Sequence, residues 1–166
     1  MRRNQLKTRQ LLPLFVALVI TGCGLFKSAD DLFSKAEIKR NNGDSAAALE
    51  LLSTIVEKHA EHEKAPKAQY LIAEIYYRDM RDFSKAIDEY ENLRTLYPNS
   101  KQVPFSLFMQ GFIQANMLAN FNQARANYSM FLEEYPEHEL YQSVKFELKY
   151  LGKEIKEIPE LKHLTQ

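Results

Sequence analysis

The residues with the most chemical potential on first reading are two histidines and two carboxylates in a run of five, His59-Ala60-Glu61-His62-Glu63. Imidazole nitrogens and carboxylate oxygens are donors that a divalent metal takes. A helical zinc pair, however, places its histidines four residues apart, whereas here the separation is three and the sequence places no third ligand. A polar, solvated turn between repeats is much the better account of the run, so no metal is assigned. His138 and His163 are expected at the surface, in a turn and in the C-terminal tail. The pairs Asp88-Glu89 and Glu133-Glu134 stand beside bases, with Lys85 four residues before Glu89, which is the pattern of a salt-bridged helix face. No Gly-rich phosphate loop, nucleophile elbow, HExxH or CxxC occurs in the sequence. The expectation is a protein that is not an enzyme, needs no cofactor and takes no small-molecule substrate.

One thiol remains. Cys23 is the sole cysteine, so an intrachain disulfide is excluded. It follows a basic stretch (MRRNQLKTRQ), an apolar run from Leu11 to Ile20 and the small residues Thr21 and Gly22. That order is the layout of an export signal. The apolar run has ten residues and includes Pro13, short of the about 20 that span a membrane, which makes a transmembrane helix the weaker reading. Ile20-Thr21-Gly22-Cys23 resembles the lipobox of bacterial lipoproteins, in which a peptidase cuts before the cysteine. The resemblance implies a signal peptide over 1–22, a lipidated linker over 23–28, and diacylglyceryl and N-acyl chains such as palmitate on Cys23. Two or more acyl chains anchor stably where one does not. Gly24, where Asp is lacking, favours the outer membrane by the same resemblance, if the organism has one.

The mature part carries 18 basic and 22 acidic residues, because Arg2, Arg3, Lys7 and Arg9 fall in the leader. A net charge of −4 without a basic cluster argues against nucleic acid as a partner. Its 144 residues suit one domain, and 45% apolar with 27% charged residues across the chain is ordinary globular composition.

Those residues must be positioned by a repeated element. Phe83-Ser84-Lys85-Ala86 through Tyr97-Pro98 recurs as Phe121-Asn122-Gln123-Ala124 through Tyr135-Pro136, at an offset of 38. A divergent earlier copy sets Ala48, Leu52, Ile55 and His59 at that offset before Ala86, Tyr90, Leu93 and Tyr97. A fixed period of this length means a repeat array. The apolar residues within each copy follow helical spacing, Pro98 and Pro136 close the second helices, and Pro66 and Pro104 suit a first helical turn. Gly43 marks the turn of the first unit, with Asp44 or Ser45 capping the helix that follows.

The small residues Ala36, Ala73 and Gly111, then Ala48, Ala86 and Ala124, then Pro98 and Pro136, resemble the tetratricopeptide repeat. Departures are the lack of Trp, Ala60 at the first Pro position, and one extra residue between the helices of units two and three. The fold class expected is all-α, a tetratricopeptide-like superhelix over 29–157. Three hairpins fall at 29–62, 66–99 and 104–137, a capping helix at 139–157 and a tail at 158–166.

Helix 103–113 is apolar on nearly every face. Mapped onto the repeat, Phe33, Tyr70, Tyr77, Phe105, Phe108 and Phe112 point to a concave partner-binding groove, with Lys67, Glu74, Arg78 and Asn116 as its polar rim. Packing of the same aromatics against neighbouring units is the equal alternative. The stretch 65–111, with its AEIYY, FSKAI and LYPNS motifs, resembles the BamD family, lipoprotein subunits of the β-barrel assembly machinery. Members of that family are longer, and Tol–Pal coordination proteins share such motifs. The resemblance implies a membrane-anchored adaptor for envelope proteins or extended peptides, facing the periplasm from the outer membrane. The alternative is a structural subunit of an envelope complex without a peptide groove.

Overall fold

Three acid or amide side chains set the frame of the chain. Asp44, Asp82 and Asn120 stand 38 residues apart, and each accepts a hydrogen bond from the backbone N–H three residues on, at Ala47, Lys85 and Gln123. Satisfying an otherwise orphaned N–H starts a helix at each point. These are the second helices of three hairpins: α2 (Ser45–Lys58), α4 (Phe83–Leu96) and α6 (Phe121–Glu134). The first helices are α1 (Ala29–Asn41), α3 (Ala65–Glu74) and α5 (Val103–Asn116), and α7 (Tyr141–Lys149) follows them. Ser28 caps α1 through Asp31, while Pro66 and Pro104 sit in the first turns of α3 and α5. The structure, a computed structural model, describes residues 28–164.

Consecutive helices pack antiparallel across short turns, so the polypeptide builds an up-and-down stack rather than a layered sandwich. Three apolar clusters follow one another along it. The first gathers Leu32, Phe33, Ala36, Leu52, Ile55 and Ile72; the second Ala73, Ala86, Tyr90 and Ile113; the third Leu107, Ala124, Tyr128, Phe131 and Val144. Each cluster borrows a residue from the next unit, which is how a solenoid shares its core between neighbours. Among the described residues no strand occurs, and no helix is long and apolar enough to cross a membrane.

The extra residue of units two and three is handled in two ways. In unit three it lies in the turn after α5, where Ala119 adopts a left-handed φ of 50°. In unit two the helix itself widens: α3 runs on as a π-helical segment, Ile75–Met80, and Arg81 takes the left-handed position at φ 57°. Both solutions close with the same bond. The N–H of Asp82 donates to the carbonyl of Tyr76, and that of Asn120 to Gln114, each six residues back, whereas Asp44 in unit one reaches five back to Lys39.

The C-terminal end departs from the single helix expected over 139–157. Helix α7 stops at Lys149, and Gly152 reverses the chain at φ +80°. Short 3-10 turns at Ile155–Glu157 and Pro159–Leu164 then fold back over it. Ile158 is buried, and the Tyr150 hydroxyl donates to the Glu160 carboxylate, which also pairs with Lys149 at 3.1 Å. Residues assigned to a free tail therefore cover the last helix, in the place a second helix would take.

Candidate functional site

The aromatic residues expected to line one groove are distributed among different tasks. Phe33 is 3% exposed and belongs to the first core cluster, so it offers no surface to a partner; that expectation is corrected. Tyr70 lies 5.5 Å from Tyr90, and Phe108 lies 6.3 Å from Tyr128, ring centre to ring centre. These are the same pair one period apart, and each joins the two helices of its own hairpin. Phe105 packs 5.0 Å from His138 at the joint between α6 and α7. Phe112, 6.0 Å from Phe108, remains partly exposed, as does Tyr77, 6.2 Å from Phe83.

What the solenoid does present is a surface depression at each joint between successive units. The first lies between Ser34, Ile38 and Arg40 of α1 and Leu71 of α3. The second, about 510 Å³, is lined by Tyr77, Arg78, Arg81, Phe83 and Met117. The third, about 420 Å³, lies between Ala115, Asn116 and Phe121 on one side and Phe146, Tyr150 and Ile155 on the other. Phe83 and Phe121, like Met117 and Ile155, are 38 residues apart, so the second and third depressions are one location repeated. Their chemistry differs. The second carries two arginines, with Arg81 standing 5.9 Å over the Phe83 ring and Arg78 held 3.4 Å from Glu74. The third holds Glu147, whose carboxyl burial pushes above its ordinary pKa.

The arginine pair is positioned from behind. The π-helical segment carries Asp79 to the end of α1, where Arg40 donates to it through Nε at 2.8 Å and Nη2 at 3.3 Å. Ser45 donates to the same carboxylate at 3.0 Å, and Arg40 also reaches Glu74 at 3.5 Å. Burial works against the Asp79 anion, but the bonds from Arg40 and Ser45 outweigh it and hold the carboxyl below its usual range. Of the proposed rim, Glu74 thus ties Arg40 to Arg78. Lys67 sits 3.8 Å from Glu37 and 4.7 Å over the Phe33 ring, and Asn116 donates back to the Phe112 carbonyl. Arg81, Phe83 and Met117 were not anticipated. Only the extra residue in unit two hinted that its turn would be special.

The histidine run has a backbone task. His62 Nδ1 accepts the N–H of Lys64 at 3.2 Å, Ser100 Oγ that of Gln102 at 3.2 Å, and His138 Nδ1 that of Leu140 at 3.1 Å. The three residues are spaced by 38. Each turns the chain from one unit into the next by satisfying an N–H ahead of the coming helix. Among the described residues, no three His, Cys, Asp or Glu side chains converge as a metal site. Cys23 lies outside the described residues.

Successive helical hairpins with a shared core and a row of inter-unit depressions define a tetratricopeptide-like repeat scaffold, a class that works by offering surface to other macromolecules. No curated protein matches the chain. The family model for YfiO, described as an outer membrane lipoprotein, matches residues 26–158, and the chain belongs to this BamD-like family. It is a lipid-anchored protein of the outer membrane.

Proposed function

We propose that this lipoprotein is a non-catalytic adaptor, anchored through Cys23 and facing the periplasm, that holds an extended segment of an envelope protein during outer-membrane protein assembly. The observation that carries the reading is the repeated depression between units, cationic and aromatic at Tyr77, Arg78, Arg81 and Phe83. A row of equivalent pockets at repeat spacing suits an extended chain, with apolar side chains in the pockets and an acidic group against the arginines.

The test is crosslinking in the native envelope followed by mass spectrometry. The Arg78→Ala/Arg81→Ala variant is expected to keep its helical circular dichroism and lose the assembly components that wild type captures; unchanged capture overturns the reading. Cys23→Ser is expected to turn soluble. A second reading, a structural subunit without a peptide groove, is favoured by the intra-hairpin packing of Tyr70 and Phe108. It predicts capture that survives loss of both arginines.

A further inference from the structure

We propose that one edge of the solenoid, formed by the turns between units one and two and between units two and three, lies against the phospholipid surface, with Leu96 and Tyr97 as its apolar contact. The inference rests on lipid attachment at Cys23. Only four residues separate Cys23 from Ser28, where helix α1 is capped. Five residue steps, fully extended, reach at most about 18 Å. The start of α1 is therefore held close to the bilayer whatever path the linker takes.

The topology fixes which edge that is. The hairpin turns at Gly43, Arg81 and Ala119 all lie at the far ends of the first helices. The near edge collects the start of α1, the end of α2 and the 59–64 turn, together with the end of α4 and the 97–102 turn. The start of α1 touches it directly: Asp30 lies 3.8 Å from His62, and Lys64 stands 5.7 Å from the Phe33 ring. With helices spaced about 8–10 Å apart, the 97–102 turn is one hairpin, about 20 Å, further along.

A groove opens on this edge, between Val56, Ala60 and Pro66 with the polar Glu61, His62 and Glu63 on one side and Leu96 and Tyr97 on the other. Leu96 is 56% exposed at the end of its helix, one of the most exposed large apolar residues described. An exposed Leu beside a Tyr, with cations near, is the composition of a membrane–water interface. Charge varies along the edge. Around the start of α1 and the 57–64 segment, Asp30, Asp31, Glu57, Glu61 and Glu63 outnumber Lys58 and Lys64, whereas the 97–102 turn adds Lys101 with no acid. The last turn on this edge, 133–139, carries Glu133, Glu134, Glu137 and Glu139 with no base. An anionic lipid surface accepts the 97–102 turn and repels the 133–139 segment, while the anchor holds the acidic start of α1 close in spite of its charge, so the C-terminal end is lifted away.

The experiment uses the full lipidated chain in vesicles of phosphatidylethanolamine and phosphatidylglycerol doped with a nitroxide-bearing phospholipid. Thr95→Cys and Ser84→Cys lie at opposite ends of α4, both exposed, and each is labelled with a fluorophore. The thioether consumes the Cys23 thiol, so wild type takes up no label. Most of the fluorescence is expected to be lost at position 95 and almost none at position 84. In the Thr95→Cys background, Lys101→Gln is expected to weaken the contact about fivefold. Co-flotation of protein with vesicles, but equal quenching at both positions or none at either, overturns the inference and returns Leu96 to a protein partner. Protein that fails to float, and whose wild type takes up label, refutes lipidation at Cys23 and takes the inference with it.

Discussion

Units two and three answer the same sequence pattern with different packing. Both turn a tyrosine of the second helix, Tyr90 or Tyr128, beneath the first helix, and both rings are fully buried. Above Tyr90 stands Ala73; above Tyr128 stands Gly111, where an added Cβ would lie 2.5 Å from the ring. Unit two takes its extra residue into the helix and turns Arg78, Asp79 and Arg81 outward to pair or wait for a partner. Unit three takes it into the turn and keeps Gln110 in the core, donating to Glu91 at 3.0 Å and accepting from Arg94 at 3.2 Å. The lesson is that a repeat keeps the position of its crossing, while the residue that stands there sets how closely the ring beneath it can approach.

The comparison breaks most visibly if the shared ring is removed. Tyr128→Ala and Tyr90→Ala should each cost about 3–5 kcal/mol in denaturant unfolding, since both empty a core site. Gly111→Ala should cost about 1–2 kcal/mol, overpacking against Tyr128 outweighing the gain in helix propensity. Tyr128→Leu should remove that penalty in a double-mutant cycle, whereas an unchanged penalty would refute the close approach.

On the unit-two side, Arg40→Ala should cost about 1–2 kcal/mol at neutral pH, the bonds to Asp79 and Glu74 being partly exposed. Because the folded pKa of Asp79 is lowered, its contribution is present above the ordinary carboxylate pKa and fades as pH falls through the lowered value. The gap between wild type and Arg40→Ala, followed by thermal melts down to acid, should therefore close. The smallest effect has the opposite sign. The Tyr128 hydroxyl is buried without a hydrogen-bond partner among the described residues, so Tyr128→Phe should leave stability unchanged or raise it by up to about 1 kcal/mol.

The hairpins were open to sequence reading because capping residues, crossing alanines and closing prolines recur at one spacing, from Asp44 to Asn120 and from Ala48 to Ala124. Which aromatics face outward was not. Phe33, Tyr70 and Phe108 occupy one repeat position, yet exposure there depends on what packs against the ring, and for Tyr70 and Phe108 that is a tyrosine 20 residues on, a contact that periodicity does not encode. Nor was the Arg40–Asp79 pair, 39 residues apart, since it exists only because the helix widens at Ile75–Met80. The helix expected over 139–157 failed for a local reason: beyond Lys149 the periodic apolar residues continue, but Gly152 in a left-handed turn lets Ile158 pack backward instead.

That backward fold bears on how many copies can join. An array of stacked hairpins leaves its last apolar face as an invitation to a second molecule, and head-to-tail addition without closure produces filaments. Here Ile158 and the clasp of Glu160 by Tyr150 and Lys149 occupy that face, and Gln142, Ser143, Lys145 and Lys149 point outward. A neighbouring molecule could stack on this face only by displacing residues 153–164, which ties access to it to the bonds that Glu160 makes.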